Sequence, residues 1–187
     1  MTYNLQPTTY NQRGFSLAET LVAIAILMLM MGSVSGLMLS AIAAQRRALA
    51  VQELVSQTSY IAEYMSRHIR QARKETGQGC LSQQGTNYQL TFGGQGLKFV
   101  NSQNECQEFS LDAGRVKEVR GGQTQYLTPD DSTVTIFNFS ISGETETDAI
   151  QPKVSLFMNL QTIGQRPESV VSLPFQTTIS QRNFDVE

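Results

Sequence analysis

Few side chains in this sequence could carry chemistry. There is a single histidine, His68, and there are two cysteines, Cys80 and Cys106. A lone histidine cannot supply a multi-histidine metal site, and two cysteines this far apart form no C-x-x-C pair, so a zinc ribbon is excluded. No G-x-S-x-G, P-loop or H-E-x-x-H motif occurs, and no Ser/His/Asp set can be built around His68, which reads as a solvated residue beside Arg67. The acidic run Glu144-Thr145-Glu146-Thr147-Asp148, with Asp130 and Asp131, offers oxygen ligands for calcium. It lacks EF-hand spacing and reads as a solvated loop. Asn138-Phe139-Ser140 fits a glycosylation acceptor but falls inside a predicted strand. The expectation is no enzyme, no cofactor and no metal. The unusual side chain is Glu19, the sole charge between Phe15 and Ala44. A charge at the centre of a membrane helix costs about 2.5–3.5 kcal/mol, and less near its end.

The element that must hold Glu19 is the run FSLAETLVAIAILMLMMGSVSGLMLSAIAA, residues 15–44, Pro-free and long enough to cross a ~30 Å hydrocarbon core. It predicts one membrane-spanning helix. A mean hydropathy of −0.21 excludes a polytopic membrane protein. Only 16% of the 187 residues are charged and 40% are hydrophobic, with polar uncharged residues making up the difference. Residues 1–14 are polar, with Arg13 as their one charge. A secretory signal would place small residues after its apolar stretch. Here Gly14 precedes that stretch, so cleavage there would remove the polar leader and keep the helix.

The stretch Arg13-Gly14-Phe15-Ser16-Leu17-Ala18-Glu19-Thr20-Leu21 resembles the N-terminus of type IV prepilins and type II secretion pseudopilins. The resemblance covers about the first 30 residues closely and the remainder in architecture only. It implies cutting between Gly14 and Phe15 by a membrane prepilin peptidase, N-methylation of Phe15, and residence in the inner membrane before recruitment by an assembly platform into a filament. It also implies assembly with other pilins or pseudopilins through the helix, with Glu19 of one subunit pairing with the Phe15 amine of a neighbour. The alternatives for Glu19 are an intrahelical pair or a favourable place at a helix N-terminus. Arg13 lies before the span and Arg46 and Arg47 beyond it, against the positive-inside bias, so the orientation follows from the resemblance. Gly32-Ser33-Val34-Ser35-Gly36 has GxxxG spacing, which permits close helix packing, local loosening, or nothing in particular.

Beyond the span, no Gly or Pro occurs from Leu37 to Thr76, and Leu54, Thr58, Ile61, Met65, Ile69 and Ala72 share one helical face. The helix is expected to run to Glu75 with Gly77 as its C-cap, Glu63 and Arg67 as an i,i+4 pair, and Tyr60 and Tyr64 at the rim of the core, with filament contacts as their alternative. Strands are expected at Tyr88–Phe92 and Leu97–Val100, joined by a glycine-rich turn. Others are expected at 105–111, 116–120, 133–142, 153–162 and 169–180, with turns at Ala113-Gly114, Gly121-Gly122 and Thr128–Asp131. The fold class is α+β: a leader at 1–14, a long helix at 15–76, and a body at 77–187 with one antiparallel sheet on the outer half of the helix. Both cysteines lie beyond the membrane segment, in an oxidising compartment. A Cys80–Cys106 bridge would contribute about 3 kcal/mol in the chain-entropy model, and two buried thiols are the alternative. The net charge of −2 resolves into +1 from Arg13 in the leader, +2 over residues 15–75 and −5 over residues 76–187, so nucleic acid is not an expected partner. The functional expectation is a filament subunit, and a minor one, because the Tyr64–Lys74 helix end resembles the basic helix exit of minor pilins and minor pseudopilins. The alternative is a tip adhesin or a secretion-substrate reader carried on the same filament.

Overall fold

The computed structural model describes residues 14–77, 79–143, 151–163 and 170–182. The leader before Gly14 and the acidic run 144–148 lie outside the described residues. The chain forms two compact units, Met1–Ala44 and Gln45–Glu187. One helix, α1 (Leu17–Arg70), contributes to both.

In the first unit, every residue from Gly14 to Ala41 is exposed, and the helix carries an 18-residue window of mean hydropathy 2.3. That is long and apolar enough to cross a membrane. Gly32 and Gly36 sit in unbroken helix.

The second unit begins with the amphipathic half of α1. Eight strands follow: β1 (Tyr88–Thr91), β2 (Gly96–Val100), β3 (Cys106–Asp112), β4 (Arg115–Arg120), β5 (Gln123–Tyr126), β6 (Ser132–Ser142), β7 (Lys153–Thr162) and β8 (Ser172–Ser180). They form two antiparallel meanders, β1-β2-β3-β4-β5 and β6-β7-β8, where a single sheet was expected. Leu54, Ile61, Met65 and Ile69 of α1 are fully buried among Tyr88, Phe99 and Phe109 of the first sheet and Phe137, Leu156 and Leu160 of the second. The helical stripe is therefore covered by both sheets, in one core.

The two-residue β3–β4 turn has positive φ at both Ala113 (48°) and Gly114 (79°), the combination that matches the twist of paired strands. Gly114 also has a steric reason. The Thr133 Oγ1 atom of β6 would lie 2.5 Å from any Cβ added there, and the Val134 amide donates to the Gly114 carbonyl at 2.7 Å. A register shift between Val134 and Ile136 turns Ile136 outward and Phe137 into the core.

The helix stops at Arg70, five residues before its expected end, and Gly77 is not its cap. Carbonyls at its end and just beyond it are bonded from β1 and from the segment after β8 instead. The Tyr88 hydroxyl donates to Ile69 O at 2.7 Å, the Arg182 amide to Arg70 O at 2.9 Å, and the Gln181 side chain to Ala72 O at 2.9 Å. With those acceptors satisfied, the chain leaves the helix, and the Arg73 amide bonds to Val100 O. Gly77 donates its amide to the Glu75 carboxylate. Two further expectations need correction. Tyr60 is exposed, while Tyr64 does reach the core rim. His68 is half-buried, its ring 4.6 Å from that of Tyr64 and 6.5 Å from that of Phe109.

Candidate functional site

Gly14, Phe15 and Ser16 precede α1 in non-helical conformation, and Phe15 is 80% exposed. Ser16 starts the helix. Its side-chain oxygen accepts the Glu19 amide at 3.3 Å, and its carbonyl accepts the amides of Glu19 and Thr20. Ser16-Leu17-Ala18-Glu19 thus has the S-x-x-E spacing of a capping box, with Ser16 as N-cap and Glu19 at the third helical position. The S-x-x-E spacing is present in the sequence at the start of the apolar run. Glu19 lies in the first turn, where the partial positive charge of the helix end favours a carboxylate. No ion pair of Glu19 occurs among the described residues. Its carboxylate stands four residues from Phe15, on an exposed and otherwise apolar surface.

The hydroxyl groups within this surface are satisfied by the helix itself. Thr20 donates to Leu17 O, Ser33 to Met30 O, Ser35 to Met31 O and Ser40 to Leu37 O, at 2.8–2.9 Å. Such back-bonding removes the need for water along the segment.

In the second unit, Cys80 and Cys106 form a disulfide with Cα atoms 5.4 Å apart, joining the loop after α1 to β3. Beside it lies a device the sequence did not announce. Glu75, 1% exposed, accepts the backbone amides of Gly77, Gly79, Cys80 and Leu81 at 2.9–3.1 Å. One carboxylate therefore organises the loop that carries Cys80. A second buried carboxylate, Glu118 of β4, accepts Tyr64 Oη at 2.9 Å and the side-chain amides of Gln107 and Gln125. Burial, with help from the Glu118 hydrogen bond, pushes the Tyr64 hydroxyl up to about 12. Burial also lowers the His68 pKa, against the pull of Glu118 and together with Arg120 and Arg67.

These groups make a structural polar network. Among the described residues, no cluster of three or more His, Cys, Asp or Glu side chains could hold a metal. Asp130 pairs with Arg115, and Asp131 accepts a hydrogen bond from Gln57. Asn138 faces outward from β6. The expected Glu63–Arg67 pair is present at 2.8 Å.

Residues 9–35 match the family model described as the prokaryotic N-terminal methylation motif, the leader of type IV prepilins and pseudopilins. No curated protein and no solved structure gives a significant match to the chain. The motif is that of a structural subunit, and with the long apolar helix it fits membrane anchoring and filament assembly.

Proposed function

We propose that this chain, opening on a prepilin-type methylation motif, is a minor structural subunit of a type IV pilus-like filament or type II secretion pseudopilus. The observation that carries the reading is the isolated Glu19 carboxylate in the first turn of an exposed apolar helix, four residues from Phe15. Hydrolysis of the Gly14–Phe15 peptide bond by prepilin peptidase gives a carboxylate on Gly14 and a new α-amine on Phe15. N-methylation takes a methyl group from an external methyl donor, releases a proton as N–H becomes N–CH₃, and leaves the amine able to carry its positive charge. The mature helix waits in the inner membrane with its globular unit on the extracytoplasmic side. On recruitment by the assembly platform, its apolar surface exchanges lipid for the helices of other subunits. Two opposite charges meeting in that dry bundle attract far more strongly than in water. Pairing of Glu19 with a neighbour's Phe15 amine therefore fixes the axial register. The minor assignment draws on the basic helix end.

Mass spectrometry of the protein purified from its membrane tests the reading. The expected product begins at Phe15 and carries one extra methyl group. A product that retains Met1, or a processed form of Gly14→Val, would count against it. Counting copies per filament separates a minor from a major subunit.

A further inference from the structure

β8 closes the second sheet and is hydrogen-bonded on one side only, to β7. Two bonds at its ends fix which of its backbone groups are left over. The Gln181 amide donates to Pro152 O at 3.2 Å, and the Thr162 amide donates to Val171 O at 2.9 Å. Both pairs extend the β7–β8 register, which runs unshifted from Lys153↔Ser180 to Gln161↔Ser172. In an antiparallel ladder, hydrogen-bonded pairs alternate with non-bonded ones. The odd-numbered residues from Val171 to Gln181 therefore bond to β7, and the even-numbered ones turn their N–H and C=O to the outer edge. Pro174 falls in the even set, where its missing N–H costs the ladder nothing. The outward amide of Arg182 is taken by the Arg70 carbonyl at the end of α1. Between these two, Gln176, Thr178 and Ser180 present three successive edges with no main-chain partner among the described residues.

A groove of about 930 Å³ runs along this edge. Thr178, Ser180 and Arg182 form one wall, and Glu63, Arg67 and Arg70 of α1 form the other. The one carboxylate among the described lining residues, Glu63, is engaged by Arg67 at 2.8 Å, so these residues carry an excess of guanidinium charge. Unpaired strand edges are templates for pairing, and chains usually blunt them with proline or inward-pointing charge. Pro174 guards one end here, and among the described residues no proline or backbone partner blunts the stretch from Gln176 to Ser180. Hydroxyl side chains beside the edge leave room for a chain to lie flat against it.

We propose that the Gln176–Ser180 edge of β8 is a strand-addition site that takes an extended acidic segment of a partner polypeptide. The main chain of that segment would ladder onto Gln176, Thr178 and Ser180, and its carboxylates would face Arg67, Arg70 and Arg182. This surface lies wholly in the second unit, and the inference does not depend on the filament reading.

The test uses the full chain in detergent micelles and a labelled synthetic peptide of alternating threonine and glutamate. Binding is expected to saturate and to slow hydrogen exchange at the amides of Gln176, Thr178 and Ser180. Arg70→Glu combined with Arg182→Glu should weaken it by about tenfold or more. A peptide N-methylated at every second residue, made in both registers, should fail to bind in the register whose donors face β8. Absence of binding, equal binding of a threonine–lysine peptide, or undiminished binding of both N-methylated peptides overturns the proposal. The peptide comparisons use the unaltered protein, so they decide the matter even if the double variant does not fold.

Discussion

At the scale of single residues, Glu19 has two physical reasons to be where it is, and they can be separated. As the third helical residue after Ser16, it suits the helix N-terminus in an isolated subunit. As a lone carboxylate on an apolar surface, it suits a neighbour's amine. Glu19→Gln keeps the hydrogen-bonding side chain of a capping box and removes the charge. We expect that variant to be inserted and cleaved normally but left out of filaments, as should Glu19→Ala; filament incorporation at the wild-type level would sink the pairing role. Ser16→Ala should cost the helix start about 1 kcal/mol while leaving incorporation intact. The charge was legible in the sequence because nothing around it is charged. The cap is written in the S-x-x-E spacing too, but that spacing is common and the isolated charge is not. His68 was misread because its neighbour Arg67 is solvated, while one residue further round the helix the ring meets Tyr64 and Phe109. The consequence is a pH dependence. Burial lowers the His68 pKa below its ordinary 6.5, so the unfolded chain binds a proton that the folded one excludes. Stability from this group is complete above pH 6.5 and is lost as pH falls below it toward the depressed folded value. Urea unfolding midpoints measured between pH 7 and 5 should fall less steeply in His68→Gln than in the wild type.

At the scale of elements, the buried helical stripe from Leu54 to Ile69 follows the sequence periodicity, and Ala72 is buried two residues beyond the helix. Where the helix stops does not, because its last carbonyls are capped by Tyr88 and Arg182 and the next segment is held by Gln181 at Ala72, the latter two more than a hundred positions away. No local signal records such partners. β5 was missed for a different reason. Gln123–Tyr126 is exposed throughout, so it has no apolar alternation, and its only announcement was the Gly121-Gly122 turn before it. The loop after α1 hangs on Glu75. Glu75→Gln keeps the shape but weakens four hydrogen bonds to backbone amides, and should destabilise the second unit by about 1.5–3 kcal/mol in urea unfolding. An unchanged midpoint would mean that the loop is held by the disulfide alone. Gly114→Ala faces both a positive φ and the Thr133 hydroxyl, and a loss on the order of 1–3 kcal/mol is expected by the same measurement.

At the scale of the whole molecule, strand periodicity revealed which faces are buried but not which strands share a sheet. The break comes between Tyr126 and Ser132, around Pro129, where the chain leaves the first meander and begins the second. Two sheets can close over a helical stripe from different sides, and the single core built from α1 and both sheets is the result. The Cys80–Cys106 bridge fastens that assembly at the exit of α1. Replacing both cysteines by serine should lower stability by about 3 kcal/mol, read as a shift in the urea midpoint.

The self-contained hydroxyls of Thr20, Ser33, Ser35 and Ser40 bear on how such a segment changes surroundings. A rod whose polar atoms are all wired internally is indifferent to whether oil or protein touches it. Moving it from one to the other breaks no bond and frees no dipole. In the proposed passage from bilayer to filament, the electrostatic difference between the two destinations then falls on Glu19 and the amine it meets, and packing of the apolar surface supplies the rest.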